Sequence, residues 1–178
     1  MASLFEITRP SCVVTTHEHH PDVSAATGPD SSVSAILDAA GIEPLAEPNP
    51  GSLPGRASSP DDITLLQHSS GTTGLQKGVA LSHRAVFNQL ESYATAIQLD
   101  ANDVIVSWLP LYHDMGLIAG FILPVLCGVP LVLMSPFDWV RSPARLLQAV
   151  SQYRGTLTWL PNFAYNFCAQ KIRESDLE

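Results

Sequence analysis

Ten residues near the middle of the chain, Ser69-Ser70-Gly71-Thr72-Thr73-Gly74-Leu75-Gln76-Lys77-Gly78, limit what it can fold into more than any other segment. They hold three glycines, two threonines, two serines and one lysine. Glycine lets the backbone approach a bound anion closely and take φ > 0. Hydroxyls and successive backbone N–H groups supply donors, and the lysine supplies a full positive charge. That is the chemistry of a loop that cradles phosphate oxygens, and the bland alternative is a glycine-rich turn with a solvated lysine. It is not the Walker A loop, whose lysine directly follows its last glycine and precedes Ser or Thr.

The flanks place this loop in an α/β chain. Short apolar runs alternate with helical patterns, which predicts a mostly parallel sheet with flanking helices. Strands are expected over 11–16, over 63–67 feeding the loop, over 79–81 leaving it, over 104–109 after Asp103, and over 156–160. A short helix ended by Gly41 is expected over 32–40. Ser82 reads as the N-cap of a helix whose apolar face is Val86, Leu90, Tyr93, Ala94 and Ile97. Ser142 and Pro143 read as cap and first residue of another helix, and 162–173 as the last one. Residues 42–62 carry Pro44, Pro48, Pro50, Pro54 and Pro60 and read as a linker or surface excursion between a segment 1–41 and a loop-bearing segment 63–178.

Residues 115–137 form a run of 23 without a charge, long enough to span a bilayer. Pro124 and the turn signal Gly128-Val129-Pro130 interrupt it, and its flanks lack basic clusters and aromatic belts. A buried helix, a turn and a buried strand over 131–134 is the expectation, with no membrane span. His17-Glu18-His19-His20 is read as a solvated loop ending in the turn Pro21-Asp22, because neighbours on a strand point to opposite faces and no further ligand follows. A net charge of −8, with seven arginines and two lysines scattered, excludes a nucleic-acid partner. Cys12, Cys127 and Cys168 are distant and odd in number, which predicts reduced thiols and a cytoplasmic protein.

The loop resembles the phosphate-binding loop of the adenylate-forming superfamily, Ser/Thr-Gly-Thr/Ser-Thr-Gly-x-Pro-Lys-Gly, with Gln76 in place of the proline. A second block, Trp108-Leu109-Pro110-Leu111-Tyr112-His113-Asp114-Met115-Gly116-Leu117, is similar to that superfamily's next motif, in the form most like fatty acyl-AMP ligases and long-chain acyl-CoA synthetases. The resemblance implies ATP-dependent activation of a carboxylic acid to an acyl-adenylate, then transfer to CoA or a carrier-protein phosphopantetheine. It implies that Ser70, Gly71, Thr72, Thr73, Gly74, Lys77 and Gly78 hold the β- and γ-phosphates, and that Thr72 helps position the Mg²⁺ that accompanies ATP. Lys77 and His113 are the implied catalytic groups, His113 lying near the carboxylate and the α-phosphate. The alternative for His113 is a histidine that bonds Asp114 and fixes its loop. Trp159, Asn162 and Phe163 are implied to line the acyl pocket, although an aromatic stripe is more often ordinary core.

The superfamily's later signatures are not found. No Tyr-Gly-x-Thr-Glu segment follows the last helix, and Lys77 and Lys171 are the only lysines. The chain therefore looks like the middle of a large N-terminal adenylation domain. A hydrophobic fraction of 46%, a charged fraction of 15% and a mean hydropathy of +0.14 then predict exposed apolar surface and self-association. Adenylation by this chain alone is not expected. The rival reading is a non-catalytic remnant that at most binds nucleotide or a partner subunit.

Overall fold

The computed structural model describes residues 1–43, 49–69 and 77–176, with the backbone alone at 52, 54, 68, 69 and 77. The chain divides into two compact units, Met1–Arg56 and Ala57–Glu178.

In the first unit, α1 (Ala2–Thr8) precedes β1 (Cys12–Thr15), α2 (His20–Ala26) and β2 (Ala35–Asp38). β1 and β2 pair in parallel from Cys12 opposite Ala35 to Thr15 opposite Asp38, with α2 as the crossover and Val23 buried beneath it. Two expectations are corrected here. Residues 32–40 form a strand and a 3-10 turn (Ala39–Gly41), not a helix. The main chain of Ser34 donates to Ser11 O at 2.8 Å and aligns the segment beside β1, whereas a helix this short has little stability of its own. Pro21 does not turn the chain but sits in the first turn of α2, where its missing N–H costs nothing, and His17–His19 form a 3-10 turn ahead of it.

The second unit opens with an antiparallel hairpin, β3 (Ile63–Ser69) and β4 (Lys77–Ser82). α3 (His83–Ala96) follows directly, because the Ser82 hydroxyl accepts from Ala85 N at 3.2 Å, as its N-cap residue type predicts. Val86 and Leu90, four residues apart, are the buried positions of its apolar face. β5 (Ile105–Ser107) pairs in parallel with β6 (Leu131–Leu133) on one side and through Ile105 with Leu157 on the other. The strand expected over 156–160 contracts to that single bridge, closed by Val106 N to Leu157 O at 2.9 Å.

All three residues of β5 are buried, as suits a parallel strand covered on both faces. Ile105 joins Val86, Leu90, Leu123 and Val129 in one core cluster. Val106 joins Trp108, Leu109, Trp139, Leu146 and Ala164 in another, where Trp108 and Trp139 stack with centroids 3.7 Å apart and planes 11° from parallel.

The uncharged run folds as a π-helix (Met115–Ile122), α4 (Leu123–Cys127) and β6. Pro124 lies in the first turn of α4, and Gly128 ends that helix at φ 68°. Among the described residues no helix is long and apolar enough to cross a membrane. α5 (Pro136–Arg141), α6 (Ala144–Tyr153) and α7 (Asn162–Lys171) complete the unit. α5 was not expected, yet Ser135 Oγ caps it by accepting from Phe137 N at 3.2 Å. Ser142, the expected cap of α6, makes no side-chain cap bond, and its carbonyl instead accepts from Arg145 N at 3.1 Å.

Candidate active site

The hairpin presents the ends of the glycine-rich segment. Ser69 pairs with Lys77 and His68 with Gly78, so the ladder runs up to the neck of the loop. Residues 70–76, including Ser70, Gly71, Thr72, Thr73 and Gly74, lie outside the described residues. Lys77 is the first residue of β4, and Gly78 is exposed beside it. The base of the hairpin is tied to α3 by a two-pronged pair, Arg84 Nε to Asp61 Oδ1 at 2.8 Å and the terminal nitrogen to Oδ2 at 3.1 Å. That pair holds the Asp61 carboxyl below its ordinary range.

His113 lies beyond the C-terminal end of β5, the end of a parallel strand at which α/β folds bind ligands. Its placement follows from three local constraints. Ser107, fully buried, accepts from Leu109 N at 3.3 Å and shapes the exit from β5. Pro110 O accepts from His113 N at 3.1 Å, and His113 O accepts from Leu117 N at 2.9 Å, so the histidine backbone is held on both sides. Gly116 then passes so close to Pro110 that a Cβ there would lie 2.3 Å from its carbonyl oxygen.

His113 stands on the rim of a cavity of about 410 Å³ whose walls include Trp108, Tyr112, Met115, Phe137 and Phe163. The Trp108 indole nitrogen is buried away from solvent, so the surface Trp108 shows there is carbon. His113 Nδ1 is 2.8 Å from Asp114 Oδ1, with both side chains well exposed. The Cys168 thiol, near Trp139, is pushed up by burial, with the indole partly opposing that shift. A larger cavity of about 560 Å³ lies in the first unit against Phe5 and Arg9, but it contains none of the motif residues. Chemistry rather than size singles out the cavity beside His113.

The structure thus brings His113 and Phe163 to one cavity. Trp159 is half-buried away from it, 6.1 Å from Tyr93 and packed against both core clusters, and Asn162 is exposed at the start of α7. Sequence reasoning missed Phe137 and Val140, which α5 delivers to the wall. Ser135-Pro136, a cap residue followed by proline, was the signal for that helix. Among the described residues no group of three or more His, Cys, Asp or Glu side chains could hold a metal ion.

A hairpin flanking a phosphate-loop sequence, and a motif histidine beside an apolar cavity beyond a parallel strand, match the layout of an adenylate-forming type of domain. The chain belongs to the AMP-binding enzyme family, which it matches over residues 1–178. It is 33% identical over 150 residues to the medium-chain-fatty-acid–[acyl-carrier-protein] ligase TtuA of Teredinibacter turnerae, covering 84% of this chain and 22% of that protein. It is also 33% identical over 184 residues to the putative fatty-acid–CoA ligase fadD25 of Mycobacterium tuberculosis, covering 99% of this chain and 31% of that protein. Among solved structures it resembles a fatty acyl-adenylate ligase from a study of the E. coli and L. pneumophila enzymes, with TM-score 0.81 and 31% identity over 98% of this chain and 31% of that one. The L. pneumophila enzyme in complex with acyl adenylate and pyrophosphate matches with TM-score 0.77 and 28% identity, over 99% of this chain and 30% of that one. The chain therefore spans between about a fifth and a third of the length of these relatives.

Proposed function

We propose that this chain carries the triphosphate-holding loop and the acid-side pocket of an ATP-dependent ligase that activates a fatty acid. The observation that carries this reading is His113 on the rim of a carbon-walled cavity, in a chain that also holds the sequence from Ser70 to Gly78. A carboxylate oxygen attacks the α-phosphorus of ATP. The new P–O bond forms as the bond from that phosphorus to the bridging oxygen breaks, and pyrophosphate leaves with the electron pair. Two anions must meet, so neutralisation and alignment are what the protein supplies.

In this reading Lys77, the hydroxyls of Ser70, Thr72 and Thr73, and the amides of Gly71, Gly74 and Gly78 hold the β- and γ-phosphates. His113 donates a hydrogen bond to the substrate carboxylate, and Phe163, Phe137 and Trp108 receive its alkyl chain. Trp159 supports the wall from the core, and Asn162 lies at the mouth of α7. With no carboxylate or histidine cluster among the described residues, Mg²⁺ would arrive on the triphosphate, with the Thr72 hydroxyl as the chain's own oxygen donor. It would neutralise phosphate charge there. A thiol, of CoA or of a carrier-protein phosphopantetheine, then takes the acyl group and releases AMP. The relatives' names cover both acceptors. The cysteines are free among the described residues, and ATP and CoA are cytoplasmic reagents, which supports a cytoplasmic site of action.

The test is acid-dependent ATP–pyrophosphate exchange by the native protein that contains this sequence. Dodecanoate and hexadecanoate should support exchange where acetate does not, and Lys77→Ala should lower it at least about a hundredfold. ATP binding with no exchange under any acid would overturn the ligase reading in favour of a nucleotide-binding remnant.

A further inference from the structure

Asp114 makes two contacts that act on His113. Its Oδ1 lies 2.8 Å from His113 Nδ1 and accepts from Met115 N at 2.7 Å, as the N-cap of the π-helix. The Met115 N–H also points at His113 Nδ1, but at 3.3 Å. These contacts compete. If Nδ1 accepts from Met115 it carries no hydrogen, and the neutral ring is protonated at Nε2. If Nδ1 donates to Asp114, the neutral ring leaves Nε2 bare. The shorter, charge-assisted contacts both go to Asp114 Oδ1, so the amide proton belongs to the carboxylate and Nδ1 is left to donate.

We propose that Asp114 is a positioning residue: it takes the Nδ1–H of His113, held in place by the Met115 amide, and leaves Nε2 as the nitrogen that meets the substrate carboxylate. In the imidazolium form both ring nitrogens donate, Nδ1–H to Asp114 and Nε2–H to the incoming carboxylate, so the ring bridges two anions without turning over. The His113 backbone is pinned through Pro110 O and Leu117 N, which leaves ring orientation as the remaining freedom. The Asp114 contact restricts it. The pair is exposed, 61% for His113 and 73% for Asp114, so its bias on the free ring is modest and grows only when an acyl chain displaces water from the cavity. The role in substrate positioning rests on the proposed acid activation, whereas the tautomer does not.

The test therefore has two readings. Two-bond ¹H–¹⁵N correlation spectra of the ¹⁵N-histidine-labelled chain, with His113 assigned by its loss in His113→Gln, report which ring nitrogen is protonated in the neutral form. The expected result is Nδ1–H in the native chain, retained in Asp114→Asn, whose amide oxygen can accept the same two N–H groups, and lost in Asp114→Ala. A neutral ring protonated at Nε2 in the native chain, or an unchanged ring in Asp114→Ala, would overturn the proposal. In the exchange assay, Asp114→Ala should raise KM for the acid about fivefold with kcat nearly unchanged, as expected when one net hydrogen bond to bound substrate is lost, and Asp114→Asn should restore most of it. An unchanged KM would reject the positioning role. Absence of exchange in the native protein would instead reject the ligase reading, with the spectra still deciding the tautomer.

Discussion

Gly116→Ala tests whether the His113 turn depends on backbone-to-backbone approach. A Cβ at Gly116 would lie 2.3 Å from Pro110 O, 2.9 Å from Pro110 C and 3.0 Å from Leu109 O, all main-chain atoms. Ordinary contact begins near 3.4 Å, so the π-helix and the Leu109-Pro110 strand exit must separate by about 1 Å. No side-chain rotation can relieve that. Overpacking of this kind costs about 1–3 kcal/mol, and with backbone on both sides the upper end, about 3 kcal/mol, applies. With a urea m-value of about 2 kcal/mol/M, the unfolding midpoint should fall by about 1.5 M. Tryptophan fluorescence is the assay, because Trp108, Trp139 and Trp159 all lie in the second unit, which contains the turn.

Gly120→Ala is the internal control. Its Cβ would lie 2.6 Å from Ser107 Oγ, a side-chain atom that can rotate, at the expense of the bond to Leu109 N. The loss there should be about 1 kcal/mol, and Ser107→Ala in the same chain should recover part of it. Equal midpoints for Gly116→Ala and Gly120→Ala, or a Gly116→Ala midpoint within 0.3 M (roughly 0.6 kcal/mol at that slope) of the native chain, would refute the reasoning.

Two further expectations concern local structure and pH. Ser82→Ala removes the acceptor for Ala85 N and should cost about 1 kcal/mol, read as a lower urea midpoint, while Ser82→Asp should retain most of the stability. The Asp103 carboxyl is held below its ordinary value of 3.8, first by the Asp100 amide at 2.9 Å and then by the Thr156 hydroxyl at 2.7 Å. A lowered folded value means the stabilisation is complete above the ordinary value and is lost as pH falls through the folded one. Urea midpoints measured from neutral pH down to about pH 2 should therefore drop less steeply at the acid end in Asp103→Asn than in the native chain. Parallel acid limbs for the two would contradict this assignment.

Local chemistry made much of the second unit legible. Ser82 and its following apolar spacing marked α3, because a cap and a helical face are properties of consecutive residues. The strands around the glycine-rich segment and the turn at Gly128 were legible for the same reason, whereas Pro124 does not interrupt the helix as expected but sits in the first turn of α4, where its missing N–H costs little. β2 was not. Ala35–Asp38 has no intrinsic preference strong enough to declare a strand, and it becomes one only where β1 offers a ladder. Nor did consecutive residues reveal the π-helix after His113, since its geometry answers to Pro110 and Ser107 across the turn.

The candidate site divides along the same line. From residue order alone came the phosphate-loop sequence, the motif histidine and the family they resemble, because these depend on which residues stand next to one another in the chain. Tertiary structure alone decided that Phe163 faces the cavity while Trp159 faces the core, that α5 brings Phe137 and Val140 to the same wall, and that Asp114 Oδ1 stands 2.8 Å from the histidine ring. Which side of an aromatic segment becomes pocket and which becomes core is set by the neighbouring elements that bury it, and those neighbours lie far away in sequence.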